Sequence, residues 1–278
     1  MTIAYRCPVC HSALERENSL YRCTHNHCFD VAKEGYVNLL PVQHKKSKDP
    51  GDNTLMVQAR NAFLRQGYYR ALCNKIAYIA RKIHPGAKAL LDIGCGIGWY
   101  AEEVTSQLTI TETHGIDISK HAIKVAAKSA KRLQKTTFNY AVASAYDLPY
   151  PDSCMDIVLS VFSPLKPEEI QRVLKPNGIC IIVGTGPGHL HELAEKIYEK
   201  VVSHQGSAID VSNCKHLVED SNTHTYRELI AVQNEDLGNL LAMTPYYWST
   251  SKEKKQEIEK LAELEVQLDF DIRVLKRV

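Results

Sequence analysis

Residues 89–108 combine a short apolar run, three closely spaced glycines and a stretch with helical periodicity. The apolar run Ala89–Ile93 leads into the G-x-G-x-G segment 94–98, and apolar side chains then recur at helical spacing over 99–108. This order predicts a strand, a tight loop and a helix. Glycine lets the main chain approach a ligand closely. The spacing differs from the dinucleotide-binding G-x-G-x-x-G, so the glycines alone are a weak signal.

Apolar runs and helical patterns continue to alternate after this loop. The run at 113–116 ends at Asp117, 19 residues after Gly98. An acidic side chain at the tip of a second strand suits the two hydroxyls of a ribose. Further strands are predicted up to Ser160 and at 179–183. Strands that alternate with helices predict an α/β fold with a doubly wound, Rossmann-like parallel sheet, which binds ligands at the carboxyl ends of its strands.

The flanking regions have simpler patterns. Helical periodicity over 53–83, broken near Gly67, predicts two helices. Near the C-terminus, the pattern predicts a helix over 251–264 and a strand over 266–274. These elements complete the sheet and say little about function.

Four of the nine cysteines, Cys7, Cys10, Cys23 and Cys28, fall within 22 residues. The first residues, MTIAYR, lack the apolar segment of a secretory signal, so clustered cysteines favour a metal site over disulfides. A Cys-x2-Cys pair places two thiolates on one tight turn, and ligands from a second group complete the tetrahedron of structural zinc. Because so few residues build almost no core, metal binding would supply the free energy that folds this segment.

The spacing identifies the first three cysteines of this cluster as zinc ligands. It leaves the fourth ligand open, because His25, His27 and Cys28 are all within reach of Cys23. A full set of protein ligands has no open coordination position, so we expect the zinc to be structural. The residues between the two groups of ligands predict a small hairpin with its turn at 15–18.

The charge is unevenly distributed along the chain, whose net charge is +2. Residues 1–87 carry 13 Lys and Arg against 6 Asp and Glu, whereas 88–278 carry 21 against 26. A basic N-terminal part indicates contact with a polyanion, and an uneven solvated surface is the alternative. The basic segment 44–48 before Asp-Pro-Gly-Asp predicts an exposed loop. We expect the domain boundary there, between 1–50 and 51–278.

No segment has the length of a membrane span. The longest aliphatic run, 179–183, is far short of the roughly 20 apolar residues that a spanning helix needs. With no secretory signal either, we expect a cytoplasmic protein without a membrane partner.

Two families resemble this chain. Over roughly residues 87–190 it resembles class I S-adenosylmethionine-dependent methyltransferases, in LDIGCGIG, YDLPYPDSCMDIVLS, RVLKPNG and Asp117. Over nearly its whole length it resembles the ribosomal 23S RNA guanine-N1 methyltransferases, in CPVCHSAL, CFDVAKEGYVNLLPVQHKKSKDPGD, TGPGHL and MTPYYW. The stretch AKEGYVNLLPVQ is the most specific of these segments, since neither zinc binding nor cofactor binding requires it.

The second resemblance implies a zinc-binding N-terminal domain for RNA recognition, a homodimer, and methylation of one guanine in a hairpin of 23S ribosomal RNA. It implies that the zinc ligands are Cys7, Cys10, Cys23 and His27. It also implies contacts to S-adenosylmethionine from seven residues: Tyr69, Gly94, Gly96, Ile97, Gly98, Asp117 and His189. Ser144 stands where many relatives keep an acidic residue, so we assign no adenine contact.

The catalytic residues stay unassigned. Guanine N1 carries a proton that must leave, and the candidates for accepting it near strand ends are Asp147, Asp156 and His189. N1 also lies on the pairing edge, so the guanine must be unpaired or flipped out.

RNA contacts have two further candidates. Six cations and no acid lie between Ile118 and Tyr146, and a solvated helix face is the alternative reading: Lys120, Lys124, Lys128, Lys131, Arg132 and Lys135. The aromatic run 246–248 has side chains that can stack on a base, and a core or lid role is its alternative.

The leading hypothesis is therefore a zinc-containing rRNA guanine-N1 methyltransferase that uses S-adenosylmethionine. A small-molecule methyltransferase with a structural zinc module is the alternative within enzymes. A non-catalytic RNA-binding module with a vestigial cofactor fold is the third, and the intact glycine loop argues against it.

Overall fold

The computed structural model describes residues 2–41, 43, 50–199, 210–222 and 224–278. The predicted basic loop at 44–48 lies outside the described residues.

The N-terminal segment forms a small antiparallel sheet of three strands, in the order β1-β2-β3. Its strands are β1 (Leu14–Glu17), β2 (Leu20–Cys23) and β3 (Cys28–Asp30). The predicted hairpin is confirmed, but Asn18, with a φ of 53°, and Ser19 form its turn. A left-handed backbone is tolerated by asparagine, which explains why the chain reverses there.

The rest of the chain is built on one large mixed sheet. Its strands are β4 (Val37–Asn38), β5 (Ala89–Ile93), β6 (Glu112–Asp117), β7 (Phe138–Val142), β8 (Met155–Val161), β9 (Leu174–Thr185), β10 (Leu217–Glu219), β11 (His224–Gln233) and β12 (Glu263–Arg277). They lie in the order β10-β12-β9-β8-β5-β6-β7-β4, and β11 pairs with β12.

The centre of this sheet is parallel and buried. Strand β5 lies between β6 and β8, with Leu91 opposite His114 on one side and Val158 on the other. Every residue of β5 and of β8 is buried, as near-continuous apolar runs predict for parallel strands covered on both faces. The predicted Rossmann-like α/β class is confirmed.

Helices cover both faces of the sheet. They are α1 (Thr54–Arg65), α2 (Arg70–Ile83), α3 (Trp99–Thr105), α4 (Lys120–Arg132), α5 (Pro167–Val173), α6 (His191–Ile197), α7 (Asn234–Ala242), α8 (Tyr246–Ser249) and α9 (Lys252–Glu259). Asn53 caps α1 by accepting from Met56 N, and Ser119 caps α4 by accepting from Ala122 N. Gly67, with a φ of 90°, lies in the break between α1 and α2, as predicted.

The C-terminal part differs from the prediction. The helix expected over 251–264 ends at Glu259, and β12 already begins at Glu263. Strand β11 was not predicted, because half of its side chains are exposed and charged residues interrupt its apolar positions. Both strands are antiparallel to their partners, so one edge of the sheet departs from the parallel pattern.

The N-terminal segment is joined to the large sheet. Strand β4 pairs in parallel with β7, with Val37 opposite Ala141. Tyr36, Leu39 and Leu40 beside it are buried. The AKEGYVNLL stretch is therefore the edge strand that attaches the N-terminal segment to the sheet. None of the helices in the described ranges is long and apolar enough to cross a membrane.

Candidate functional site

A cavity of about 210 Å³ lies at the carboxyl ends of the central parallel strands. Its walls come from the glycine loop after β5, the end of β6, residues 143–146 after β7 and 161–164 after β8. Asp52, Arg60 and Tyr100 complete the lining. This is the edge at which a doubly wound sheet binds its ligand.

Two glycines of the loop stand where a side chain would collide with neighbouring residues. Gly94, with a φ of 66°, faces the side chain of Ser163, which a Cβ at this position would strike. Gly98, with a φ of 78°, caps α3, and a Cβ there would strike the Tyr140 hydroxyl. Gly94 and Gly96 line the cavity. A side chain at Gly94 would therefore collide with Ser163, and one at Gly98 would collide with Tyr140.

Ile97 also lines this cavity, although its side chain is almost fully buried. The predicted residues of segment 94–98 are thus held together at one place.

Asp117 ends β6 on the wall of the cavity. One carboxylate oxygen accepts from Gly96 N at 2.9 Å, and the other accepts from Ser119 N at 2.7 Å. Burial raises the pKa of Asp117 above its ordinary value, and these two N–H donors oppose that shift. Each oxygen keeps a lone pair, so the carboxylate can still accept from hydroxyl donors in the cavity.

Asp92 is a buried carboxylate that the sequence interpretation missed. It lies within β5, two residues before Gly94, and its Oδ2 has no hydrogen-bond partner among the residues described. Burial, followed by the charge of Asp117, raises its pKa well above the ordinary value. A lone acid in an otherwise apolar strand was the available signal. Asp92 itself does not line the cavity, so it lies behind the glycine loop.

Asp52 and Arg60 form an ion pair of 2.8 Å in the cavity wall. Arg60 also donates to the carbonyl of Met243 at 3.3 Å, and Ser119 Oγ donates to the carbonyl of Asp52 at 2.6 Å. Gly51 and Asp52, from the Asp-Pro-Gly-Asp sequence, therefore belong to the site.

Tyr69 and His189 lie in an aromatic cluster beside the cavity. Tyr69 and His189 both contact Phe270, with ring centroids 5.3 and 4.7 Å apart. His189 also stacks on Phe162 at 6.3 Å, and Phe162 lines the cavity. The structure thus places these two predicted residues behind Phe162, whereas the glycine loop and Asp117 line the cavity itself.

The candidates for the proton acceptor have different surroundings. Asp147 forms an ion pair of 3.0 Å with Arg6 from the N-terminal segment. Asp156 lies at the amino end of β8, where it accepts from Lys88 N and Ala89 N and pairs with Lys175. Asp156 is therefore on the edge of the sheet opposite the cavity, and its contacts stabilise the fold.

A second cluster lies in the N-terminal segment. The four potential ligand atoms of Cys7, Cys10, Cys23 and His27 all lie within 4.8 Å of one another. The His27 Nδ1 atom is 3.3 Å from Cys23 Sγ and 3.6 Å from Cys7 Sγ. Cys28 is exposed, and its Sγ lies 3.4 Å from the carbonyl of Asn26. Of the three candidates for the fourth position, His27 is the one whose side chain joins the cysteines.

The chemistry of this donor set fits zinc. Three sulfurs and one imidazole nitrogen form a closed tetrahedral set. His27 N donates to Cys23 Sγ at 3.3 Å, and hydrogen bonds from Ser12 lower the pKa of Cys10 to about 5. Both effects favour the thiolate form that binds metal.

The candidate RNA-contact groups lie on two helices. Helix α4 buries its alanines and leaves Lys120 and Lys128 exposed, while Lys124 is 3.7 Å from Glu34. The aromatic run 246–248 forms α8, where 61% of Trp248 is exposed.

Two family models match separate parts of the chain. Residues 5–48 match the family model described as "RlmA, N-terminal", a zinc ribbon. Residues 91–182 match the model described as "Methyltransferase domain".

Full-length relatives cover both parts. The chain is 34% identical to the 23S rRNA (guanine(748)-N(1))-methyltransferase of Streptomyces fradiae, over 87% of this chain and 85% of that protein. It is 28% identical to YxjB of Bacillus subtilis (strain 168), over 97% of this chain and 96% of that one. The demethylmenaquinone methyltransferase of Tropheryma whipplei (strain Twist) is 32% identical, over 44% of this chain and 49% of its own length.

Proposed function

This chain belongs to the 23S rRNA (guanine-N1)-methyltransferase family, and from that membership we propose that it methylates N1 of one guanine in a hairpin of 23S rRNA. The observation that carries the proposal is the cavity in which the glycine loop meets Asp117 at the carboxyl ends of the central strands. S-adenosylmethionine supplies an electrophilic methyl group on a sulfonium sulfur.

The residues of the cavity fit this cofactor. Asp117 accepts from the ribose hydroxyls, and the glycine loop 94–98 admits the methionine part close to its main chain. Neither Tyr69 nor His189 lines the cavity: His189 supports the ring of Phe162, and Tyr69 packs against His189 and Phe270.

The chain's part in the reaction is chiefly positioning. With the cofactor bound, a bond would form between guanine N1 and the methyl carbon as the carbon–sulfur bond breaks, the electron pair would stay on sulfur, and the N1 proton would pass to a base or to solvent. The protein must hold N1 in line with the methyl group and keep the base out of its pair. No residue is assigned as the proton acceptor.

The N-terminal part has a separate task in this proposal. We infer that Cys7, Cys10, Cys23 and His27 hold a structural zinc ion, which folds residues 1–50 into an RNA-recognition domain. The catalytic domain is then 51–278. The proximity of the four ligand atoms and the basic charge of the N-terminal part support this division.

Assembly and location follow from the family resemblance and the substrate. We propose that the protein is a homodimer and that it acts in the cytoplasm, where its ribosomal RNA substrate is located. Sedimentation equilibrium of the purified protein tests the dimer, and a monomer at micromolar concentration contradicts it.

The test of the reaction uses labelled S-adenosylmethionine and unmodified 23S rRNA, followed by primer extension. A methyl group on N1 blocks pairing, so we expect reverse transcriptase to stop next to a single hairpin guanine. Asp117→Ala abolishes the stop, whereas Asp152→Ala, at a carboxylate with 74% side-chain exposure, leaves it unchanged. If the RNA is labelled but reverse transcriptase does not stop, the methyl group has been added to an atom that does not lie on the pairing edge. If label is transferred only to a small molecule in a nuclease-treated metabolite pool, the proposal that RNA is the substrate is wrong.

A further inference from the structure

A second cavity, of about 620 Å³, lies at the carboxyl ends of β8 and β9. It shares the lining residues 162–164 with the cofactor cavity, so the two spaces adjoin along this segment. Its lining includes an aromatic ring, apolar side chains and two polar groups: Phe162, Pro164, Pro167, Ile182, Thr185 and Asp210. A ligand in this space lies next to whatever the first cavity holds.

Phe162 is the central residue of the shared wall. Its φ is 53°, a left-handed conformation that is uncommon for a bulky residue and that persists where the surroundings enforce it. Its N–H donates to the carbonyl of Val183 at 2.9 Å, which anchors the backbone to β9. Its ring packs on Phe270 at 5.2 Å and on Tyr100 at 6.2 Å, yet 36% of the residue is exposed.

The rest of the wall is held just as firmly. Ser160 is fully buried at the end of β8, and its hydroxyl donates to the carbonyl of Ser163 at 3.0 Å. An aromatic ring that is fixed from behind and open in front is pre-organised to stack on a flat ring.

The other walls are apolar, with few polar groups. Pro164, Pro167 and Ile182 form apolar surface, and Thr185 adds a hydroxyl. Asp210 lies at the rim, where its Oδ1 accepts from Ser212 N at 2.9 Å. That contact holds the pKa of Asp210 below its ordinary value, so the group is a carboxylate at neutral pH and only accepts hydrogen bonds.

We propose that this second cavity receives the target guanine, with Phe162 stacked on the base and the Asp210 carboxylate accepting a hydrogen bond from the exocyclic 2-amino group. The assignment rests on the proposed function, because that function requires a guanine beside the methyl donor. The 2-amino group is a donor that adenine lacks, so Asp210 selects guanine. A bound base without that donor would leave the Asp210 carboxylate with one hydrogen bond fewer than guanine gives it.

The first experiment removes the donor and the acceptor separately. After the target position has been mapped, synthetic hairpins carrying guanine or inosine there are compared by kcat/KM. Inosine lacks the 2-amino group, so we expect the wild-type protein to prefer guanine by roughly 10- to 100-fold. Asp210→Ala brings that ratio close to one.

Asp220→Ala is the matched control for this variant. Asp220 makes the same kind of contact, to Asn222 N at 2.9 Å, outside both cavities, so its loss keeps the wild-type ratio. A wild-type enzyme that accepts inosine as well as guanine overturns the role of Asp210. A guanine preference that survives in Asp210→Ala overturns it too.

The second experiment tests stacking. Phe162→Ala lowers kcat/KM on the guanine hairpin by roughly 10- to 100-fold, since it removes one base–aromatic stack, and Phe162→Tyr restores the rate. Because Phe162 also lines the cofactor cavity, equilibrium dialysis of labelled S-adenosylmethionine is measured for Phe162→Ala, and we expect its Kd to rise by a much smaller factor than kcat/KM falls. Tyr78→Ala, which removes an exposed ring on α2, is the control.

Two further outcomes separate the possible failures. If Phe162→Ala methylates the hairpin at the wild-type rate, or loses cofactor affinity by the same factor as activity, the base site is wrong. If the wild-type protein methylates no RNA at all, the proposed function itself fails.

Discussion

Asp92 lies fully buried beside the glycine loop, with Asp117 close enough for its charge to act on Asp92. Burial disfavours the charged form, so the pKa of Asp92 is higher in the folded chain than the value of about 3.9 in the unfolded chain. The folded protein therefore binds a proton that the unfolded chain releases. The free energy of unfolding then falls as pH rises from about 4 through the folded-state pKa.

Asp92→Asn removes this titration. We expect a flatter pH dependence of the free energy of unfolding in urea between pH 5 and pH 8, because one titrating group contributes up to about 1.4 kcal/mol per pH unit. Asp152→Asn, at an exposed position, is the control. Equal slopes in the wild type and Asp92→Asn would show that Asp92 does not titrate in this range.

The metal cluster allows a second prediction at the residue scale. His27→Ala removes one of the four ligand atoms, so we expect the purified variant to hold zinc weakly and to release it to a chelator much faster. Cys28→Ala, one residue further on, removes a thiol that lies outside the cluster and keeps the metal. Zinc content by atomic emission measures both. Release of zinc from Cys28→Ala at the rate of His27→Ala would contradict the assignment.

Helix α4 shows how one element serves both the fold and a surface. Its buried face is mostly alanine, and Ala122, Ala126 and Ala130 let it lie close to the sheet. Four-residue spacing places Lys120, Lys124 and Lys128 along one face, about 6 Å of helix rise apart. Since Lys124 faces Glu34, the other two lysines are the better candidates for phosphate contacts.

The double variant Lys120→Ala and Lys128→Ala tests this face. If each lysine neutralises one phosphate of RNA, the slope of log affinity against log salt concentration falls by about 1.4 to 1.8. Filter binding to the 23S rRNA hairpin at several salt concentrations measures the slope. Lys252→Ala with Lys260→Ala removes two exposed cations at α9 and is the control. An equal change in both double variants would mean that only net charge matters.

At the scale of the whole molecule, the zinc ribbon and the methyltransferase sheet are packed together. Tyr5 lies between Tyr21 of the ribbon and Tyr150 of the sheet domain, with ring centroids 5.3 and 5.5 Å away. Arg6 N donates to the carbonyl of Pro149, and the Arg6 side chain pairs with Asp147. The ribbon is thereby held at a fixed place beside the turn that lines the cofactor cavity.

This packing predicts the effect of removing the metal. Cys7→Ala combined with Cys10→Ala should abolish RNA methylation, because the ribbon loses its folded shape, while labelled cofactor still binds. We also expect a lower Tm, since Cys7 and Leu14 belong to one buried cluster with Leu91. A double variant that methylates 23S rRNA normally would show that the ribbon has no part in recognition.

Local patterns in the sequence determined the central elements. An apolar run followed by three glycines specifies a strand, a loop and a helix through contacts between near neighbours. For that reason β5, the segment 94–98 and the end of β6 at Asp117 could be predicted, and so could three of the four clustered ligands. The Rossmann-like class followed from the alternation of such units.

Tertiary structure decided whatever depends on distant contacts. Spacing left the fourth ligand open, and the left-handed backbone at Asn26, with a φ of 62°, precedes the point where His27 turns inward and Cys28 outward. Asp147 finds Arg6 from 141 residues away, and Phe162 is held by β9 and Phe270. The hydrophobic periodicity of the sequence does not predict such pairs, because each contact depends on the path of the folded chain.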